Sequence, residues 1–168
     1  PYRNPNVYGL TKLLAEQLIA EACPEIPCIC VRLPGVVGQG NFNPWLGRVA
    51  QCAMQGDDIT IYNGSAAFNN IVDISELSRL VHHVAAEIPG AGFDVVNMAA
   101  SQPMTVRQVV DELLSNLGAK SQVIEKATEK TSYQVDITRL NRNLKFESRT
   151  TREMVSQFGS VCLASANS

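Results

Sequence analysis

Two kinds of apolar pattern alternate along this chain, and the alternation limits the folds open to it. "CICVRL" (28–33) and "GFDVVNMAA" (92–100) are short, nearly continuous apolar runs, as expected of strands buried on both faces. Between and around them, apolar residues recur at the three- and four-residue spacing of a helical face. Val7, Leu10, Leu14 and Leu18 form one such row, with Asn4 and Pro5 as its N-cap and first residue and Pro24 and Pro27 closing it. "WLGRVAQCAMQG" predicts a second helix stopped at Gly56, after the Gly-, Pro- and Asn-rich loop "PGVVGQGNFNP", and "ITIY" predicts a strand. Ser75 is positioned to cap a third helix carrying Leu77, Leu80, Val81, Val84, Ala85 and Ile88. Thr105 and Gln108 have capping-box spacing ahead of Val106, Val109, Val110, Leu113 and Leu117, and Gly118 stops that helix. Thr150 and Glu153 repeat the box before a short last helix. Strand alternating with helix predicts an α/β layered fold with a parallel sheet. The aperiodic "KSQVIEKATEKTSYQV" predicts a smaller α+β cap, and the small, polar end from 159 to 168 a frayed tail.

Composition narrows the function classes. Of 168 residues, 45% are apolar and 18% charged, with a formal net charge of −2. That is globular composition for one domain or part of a larger one. No Lys/Arg cluster stands out, so no nucleic-acid partner is expected. No apolar run approaches the ~18 residues of a membrane span, so no membrane partner is expected. The five cysteines include Cys28 and Cys30, two apart on one face of a strand, a poor geometry for a bridge. Reduced, buried thiols are expected, and with them a cytoplasmic location.

Chemistry is suggested by "NVYGLTK" (6–12), where Tyr8 and Lys12 stand four apart and so share a helix face. A phenol is a poor acid or base at neutral pH, and a nearby ammonium favours its charged form. The pair suits moving a proton on a carbinol oxygen while a hydride leaves the same carbon, and the lysine can also hold ribose hydroxyls. The bland reading is a surface Tyr beside a surface Lys on an amphipathic helix.

"NPNVYGLTKLLAEQLI", "VRLPGVVGQG", "FNNIVDISELSRLV" and "FDVVNMAASQPMTVRQVVDEL" follow one another in this order. The series resembles the extended short-chain dehydrogenase/reductase family, the NAD(P)-dependent epimerases and dehydratases that act largely on nucleotide sugars. The resemblance runs to about residue 155 and implies the C-terminal part of a Rossmann-like, doubly wound parallel sheet with a small α+β substrate-binding cap. The implied division is 1–104, sheet domain interleaved with cap segments; 105–158, mainly cap; and 159–168, tail. It implies Tyr8 as catalytic acid/base and Lys12 as its tuner and a ribose ligand, both therefore cofactor-binding, with NAD or NADP as cofactor in the complete enzyme. Leu33, Pro34 and Val36 fall where the family lines its nicotinamide pocket. Gly35 and Asn69 fall at substrate positions.

The chain also departs from that pattern. Thr11 replaces the usual Ser. Gly35 stands where an Asn is frequent, and Asn69 where an Arg usually meets a diphosphate, so a smaller carbonyl substrate is open beside a nucleotide sugar. The phosphate-binding Gly loop that should precede the tyrosine is not present. The expectation is therefore a C-terminal half, inactive by itself. Gly35, Gly38 and Gly40, with Asp57 and Asp58 beyond, mimic a dinucleotide fingerprint, but the spacing G-x-x-G-x-G is wrong for it. The alternative is a non-catalytic binding or assembly module of the same fold, whose unpaired sheet edge would favour self-association into a homo-oligomer. His82 and His83 are read as solvated, with no metal site; Phe42 and Trp45 as local core or the lining of a substrate mouth; Asp73, Glu76 and Asp94 as without chemistry.

Overall fold

The computed structural model describes residues 6–22, 26–87, 92–129 and 131–166. In chain order the elements are α1 (Val7–Ala22), β1 (Cys28–Arg32), β2 (Gly35–Val37), α2 (Trp45–Gln55), β3 (Ile59–Tyr62), β4 (Ala67–Phe68), β5 (Ile71–Asp73) and α3 (Ile74–Glu87). Then follow β6 (Phe93–Asn97), β7 (Met104–Thr105), α4 (Val106–Leu117), β8 (Val123–Lys126), α5 (Thr138–Leu144) and α6 (Thr151–Ala166). Strand β1 pairs in parallel with β6, β2 with β5 and β3 with β8, while β4 and β7 pair antiparallel. The expected α/β architecture with parallel pairing is present. Each parallel pair joins strands far apart in sequence, as crossover connections through helices require.

Two apolar clusters hold the layers. The larger joins α2, β3, α4 and α6 around Ile61, Val109, Leu113, Met154 and Phe158. The smaller packs α3, β6 and the chain around α5 about Val72, Leu80, Val96, Met98, Leu140 and Phe146. The larger cluster runs across residue 104, so segments on both sides of the expected boundary share one core. Gly47 lets the loop before α2 lie on that helix, since a Cβ there would stand 2.7 Å from the Phe42 Cα.

Several local expectations hold. The Thr105/Gln108 capping box forms, and both Gly56 and Gly118 take left-handed C-cap conformations. Thr150 and Glu153 bond reciprocally as well, through the Glu153 amide to Thr150 Oγ1 and the Thr150 amide to Glu153 Oε2. Others are corrected. "GVV" is a strand rather than loop, because β5 lies beside it. The third helix is capped by Asp73, whose Oδ1 accepts the Glu76 amide at 3.0 Å, and not by Ser75, whose hydroxyl instead donates to that same carboxylate. The last helix runs to Ala166 through the expected tail, since Cys162 adds a buried side chain to the larger cluster. His83 is half-buried, its Nε2 2.6 Å from the Leu144 carbonyl and its ring against Phe146. Val7, Leu10, Leu14 and Leu18, the expected inner face of the first helix, are exposed. Asn4, Pro5, Cys23, Pro24 and Ile88 lie outside the described residues.

Glu76 sits at the junction of these layers with no exposed side-chain surface. Its carboxylate accepts a bidentate pair from Arg79, at 2.9 and 2.7 Å, and the Arg149 amide at 2.9 Å. Burial by itself would raise its carboxyl, but the Arg79 hydrogen bonds, the Arg149 amide and both guanidinium charges outweigh it and hold it below the ordinary 4.5. A depressed folded-state value stabilises the fold above the ordinary value and is lost as pH falls through the folded one. Glu76→Gln should therefore cost about 2 kcal/mol at neutral pH, discounting a buried pair for its half-exposed arginines. The deficit should shrink as urea melts are repeated at decreasing pH below the ordinary carboxylate range. A pH-independent deficit would assign the cost to packing instead.

Candidate active site

The site is built on the first turn of α1 and the end of β1. Asn6 caps the helix, its Oδ1 accepting the Gly9 amide at 2.9 Å. Tyr8 and Lys12 follow on one face, with Lys12 Nζ 5.3 Å from the centre of the Tyr8 ring. Thr11 donates its hydroxyl to the Tyr8 carbonyl at 2.8 Å, so it supports the turn that carries the tyrosine. The next residue of the same row is Glu16. It takes a bidentate pair from Arg32 at the end of β1, at 2.8 and 2.6 Å. The helix thus meets the strand through Gly9, Leu13, Glu16 and Ala20, its half-buried positions, rather than through its most apolar face.

A cavity of about 570 Å³ opens between helix and strand, lined by Tyr8, Lys12, Glu16, Cys30, Val31 and Leu33 among others. Tyr8 is 69% exposed there, its phenol free to meet a small molecule. Burial, with the Glu16 charge adding to it, pushes the Cys30 thiol up, so this cysteine lines the cavity as a neutral thiol rather than a nucleophile. Burial also pushes the Glu16 carboxyl up, even though it accepts the bidentate pair from Arg32.

Beyond the β1–β2 turn a second cavity of about 400 Å³ shares Arg32 and Leu33 with the first and adds Pro34, Gly35, Asn70 and Asp136. Its outer wall is the aperiodic segment 133–136. The Asn70 amide donates to the Tyr133 carbonyl at 3.2 Å, while its Oδ1 is buried with no hydrogen-bond partner. Asp136 accepts from the Thr138 hydroxyl and amide, which hold its carboxyl below the ordinary range.

Tyr8, Lys12 and Leu33 therefore share one cavity, and Leu33, Pro34 and Gly35 the next. Val36 pairs with Val72 inside β2 and lines neither. Asn69 is buried, and its amide is engaged by main chain. Nδ2 donates to the carbonyls of Ala100 and Val135, and Oδ1 accepts the Val135 amide at 2.9 Å. It borders a third cavity with Ser101 and Gln134. The sequence reading assigns this stretch to a substrate-binding cap; that residues 133–136 form the wall of this particular cavity has only a tertiary signal, since neither periodicity nor a motif marks it.

The sequence profile of the NAD-binding family described as "Male sterility protein" matches residues 1–87, and the chain belongs to that family. No curated protein matches the chain in sequence. Among solved structures it is similar to the UDP-glucose 4-epimerase of Thermotoga maritima, with UDP-glucose, at 17% identity and a TM-score of 0.73, covering 95% of this chain and 54% of that one. It is similar too to the dTDP-glucose 4,6-dehydratase of Bacillus anthracis, in complex with NAD, at 13% identity and a TM-score of 0.74, covering 99% and 55%. A third is the UDP-glucose 4-epimerase of Bifidobacterium longum, with NAD+ and UDP, at 17% identity and a TM-score of 0.70, covering 99% and 58%. At these identities the likeness establishes the fold, a Rossmann-like α/β architecture. The chain spans little more than half the length of those structures.

If Asn69 is a main-chain clamp, Asn69→Asp should be worse than Asn69→Ala, because a carboxylate oxygen would face two carbonyls. The alanine should cost about 3 kcal/mol for its stranded partners. Urea unfolding of the two variants checks the order. Equal stabilities with altered ligand binding would instead make Asn69 a ligand contact.

Proposed function

We propose that this chain carries the proton-transfer helix of an NAD(P)-dependent enzyme acting at a carbinol or carbonyl carbon, with Tyr8 as the acid/base. The observation that carries the reading is an exposed phenol and an ammonium on one helix face, opening on a cavity whose other wall is the end of a buried strand. That cavity suits a flat, uncharged ring: Leu13, Val31 and Leu33 supply apolar wall, and Lys12 supplies donors for ribose hydroxyls. NAD or NADP, when bound, supplies or takes up the hydride.

Tyr8 Oη gives a proton to the substrate oxygen during reduction, or takes it during oxidation. The Lys12 ammonium stabilises the phenolate as that proton leaves. Glu16 and Arg32 lock the helix to the strand, so Tyr8 and Lys12 face the cavity without a search through orientations. Epimerisation or dehydration follows when the oxidised carbon is only transient; reduction is the one-way version. Two of the similar structures hold UDP-glucose or UDP. In this chain the cationic groups among the described residues of the two cavities are Lys12 and Arg32, and Arg32 is held by Glu16. A nucleotide sugar and a smaller carbonyl compound are thus both within the reading.

A second reading, an assembly module, draws on the outer face of α1, where Val7, Leu10, Leu14 and Leu18 are each more than half exposed. It predicts self-association that Leu14→Glu abolishes, and no effect of Tyr8 on any turnover.

The two part at one substitution. In the protein that carries this chain, Tyr8→Phe should lower kcat by ~10²–10⁴-fold, the usual share of a general acid/base, while cofactor affinity stays nearly constant. Turnover of the phenylalanine variant at the wild-type rate would remove Tyr8 from the mechanism.

A further inference from the structure

The turn that joins β3 to β4 is built on the pair Asn63–Gly64, and the backbone accounts for both residues. Asn63 has a φ of 53°, left-handed backbone that asparagine enters more readily than most other residues with a side chain. Gly64 is buried, and a Cβ there would stand 2.5 Å from a Glu125 carboxylate oxygen, so any other residue would push that carboxylate off the turn. The two also form the one Asn–Gly sequence of the chain. Glycine leaves the amide nitrogen after the asparagine without a side chain to shield it, and that nitrogen is the atom that can attack the asparagine side chain. The fold thus selects at this turn the pair with the least chemical protection.

The same turn holds each group that such an attack would use. The Gly64 amide donates to Glu125 Oε1 at 2.8 Å, and the Gly64 carbonyl accepts the Arg107 amide at 2.9 Å. The Asn63 carbonyl accepts the Ala66 amide at 2.8 Å. Asn63 Nδ2, the group that would leave, donates to Ser132 Oγ at 3.2 Å. Attack needs the Gly64 nitrogen to lose its proton and to swing onto Asn63 Cγ. A carboxylate on that hydrogen disfavours the amide anion, and the bonds at 63 and 64 resist the swing until the turn opens locally.

We propose that Asn63–Gly64 is the deamidation site of this chain and that Glu125 sets its rate by holding the Gly64 amide. Gly64 N forms a bond to Asn63 Cγ, the Cγ–Nδ2 bond breaks, and Nδ2 departs as ammonia with the proton that the Gly64 nitrogen gives up. Water then adds to the five-membered imide and opens it, leaving an aspartate or an isoaspartate at 63; nothing is oxidised or reduced. Either product brings a second carboxylate to the turn that Glu125 holds, and to the wall of a cavity of about 510 Å³ that Trp45, Tyr62 and Phe68 also line. The isoaspartate also adds a methylene to the main chain, which breaks the spacing between the Asn63 and Gly64 bonds. This chemistry is independent of the reaction at Tyr8, and mass rather than turnover reports it.

Peptide mapping by mass spectrometry follows the conversion, because a hydroxyl replaces an amino group at 63. The protein that carries this chain is incubated in mildly alkaline buffer, with and without urea enough to unfold it. Unfolded, the Asn63–Gly64 peptide should convert before any other asparagine peptide. Folded, it should convert about tenfold more slowly, since opening the turn forfeits the hydrogen bonds at Gly64. Glu125→Ala, a change at an exposed position of β8, should raise the folded rate about tenfold and leave the unfolded rate unchanged. Glu125→Gln keeps an acceptor for the amide without the charge and should fall between the two, so the idea stays testable if the alanine variant loosens β8. Asn63→Ser should remove the signal. Equal folded and unfolded rates in the unsubstituted protein would overturn the proposal. So would a Glu125→Ala protein that converts no faster than the unsubstituted one, which would make Glu125 a bystander or a base for the attack, and so would earlier conversion at another asparagine.

Discussion

A carboxylate with no exposed side-chain surface cannot remain charged without donors around it, and Glu76 draws its donors from two parts of the chain. Arg79 comes from its own helix, and the Arg149 amide from the segment that leads into α6. Asp73, one residue before α3, receives the Ser75 hydroxyl and the Glu76 amide. Arg79 also lies over the Phe146 ring, 4.1 Å from its centre, which seats the smaller core. The end of β5, α3 and the chain from 146 to 150 are therefore one mechanical unit. Asn69, four residues before Asp73, performs the same service for Val135. Together these clamps hold a segment with little secondary structure of its own against the sheet, and that segment walls the cavities.

The proton-transfer face depends on a second ionic contact of a different kind. Helix α1 turns a face of mostly small residues, Gly9, Leu13, Glu16 and Ala20, toward β1, with Glu16 on Arg32 as the specific tether. A bidentate pair fixes rotation about the helix axis as well as distance. Lys12 and Tyr8 lie one and two turns before Glu16 on the same row, so fixing Glu16 sets their direction. An apolar seam would have held the helix too, but it would have turned Val7, Leu10, Leu14 and Leu18 inward and the phenol away.

Much of the local structure was legible. Thr105 with Gln108, Thr150 with Glu153, Gly56 and Gly118 each act through the few residues around them, so a short string carries all the information they use. The same holds for "ITIY" and for the Tyr8–Lys12 spacing, which follows from helix geometry alone. What failed to be legible depended on partners far along the chain. "GVV" reads as loop until β5 lies beside it. His83 reads as solvated until Leu144 and Phe146 close over its ring. The main-chain bonds of Asn69 to Ala100 and Val135, which span more than thirty residues of chain, leave no mark in the string around it.

By itself the sequence determined the alternation of strands and helices, the helix stops, and the presence of a phenol and an ammonium on one helix face, because each rests on spacing within a dozen residues. Tertiary structure alone decided which face of that helix meets the sheet, which carboxylate is buried, and that Trp45, Tyr62 and Phe68 line one cavity with Thr128, Thr131 and Ser132. Those outcomes come from competition among distant groups for burial and hydrogen bonds, and no local pattern encodes the winner.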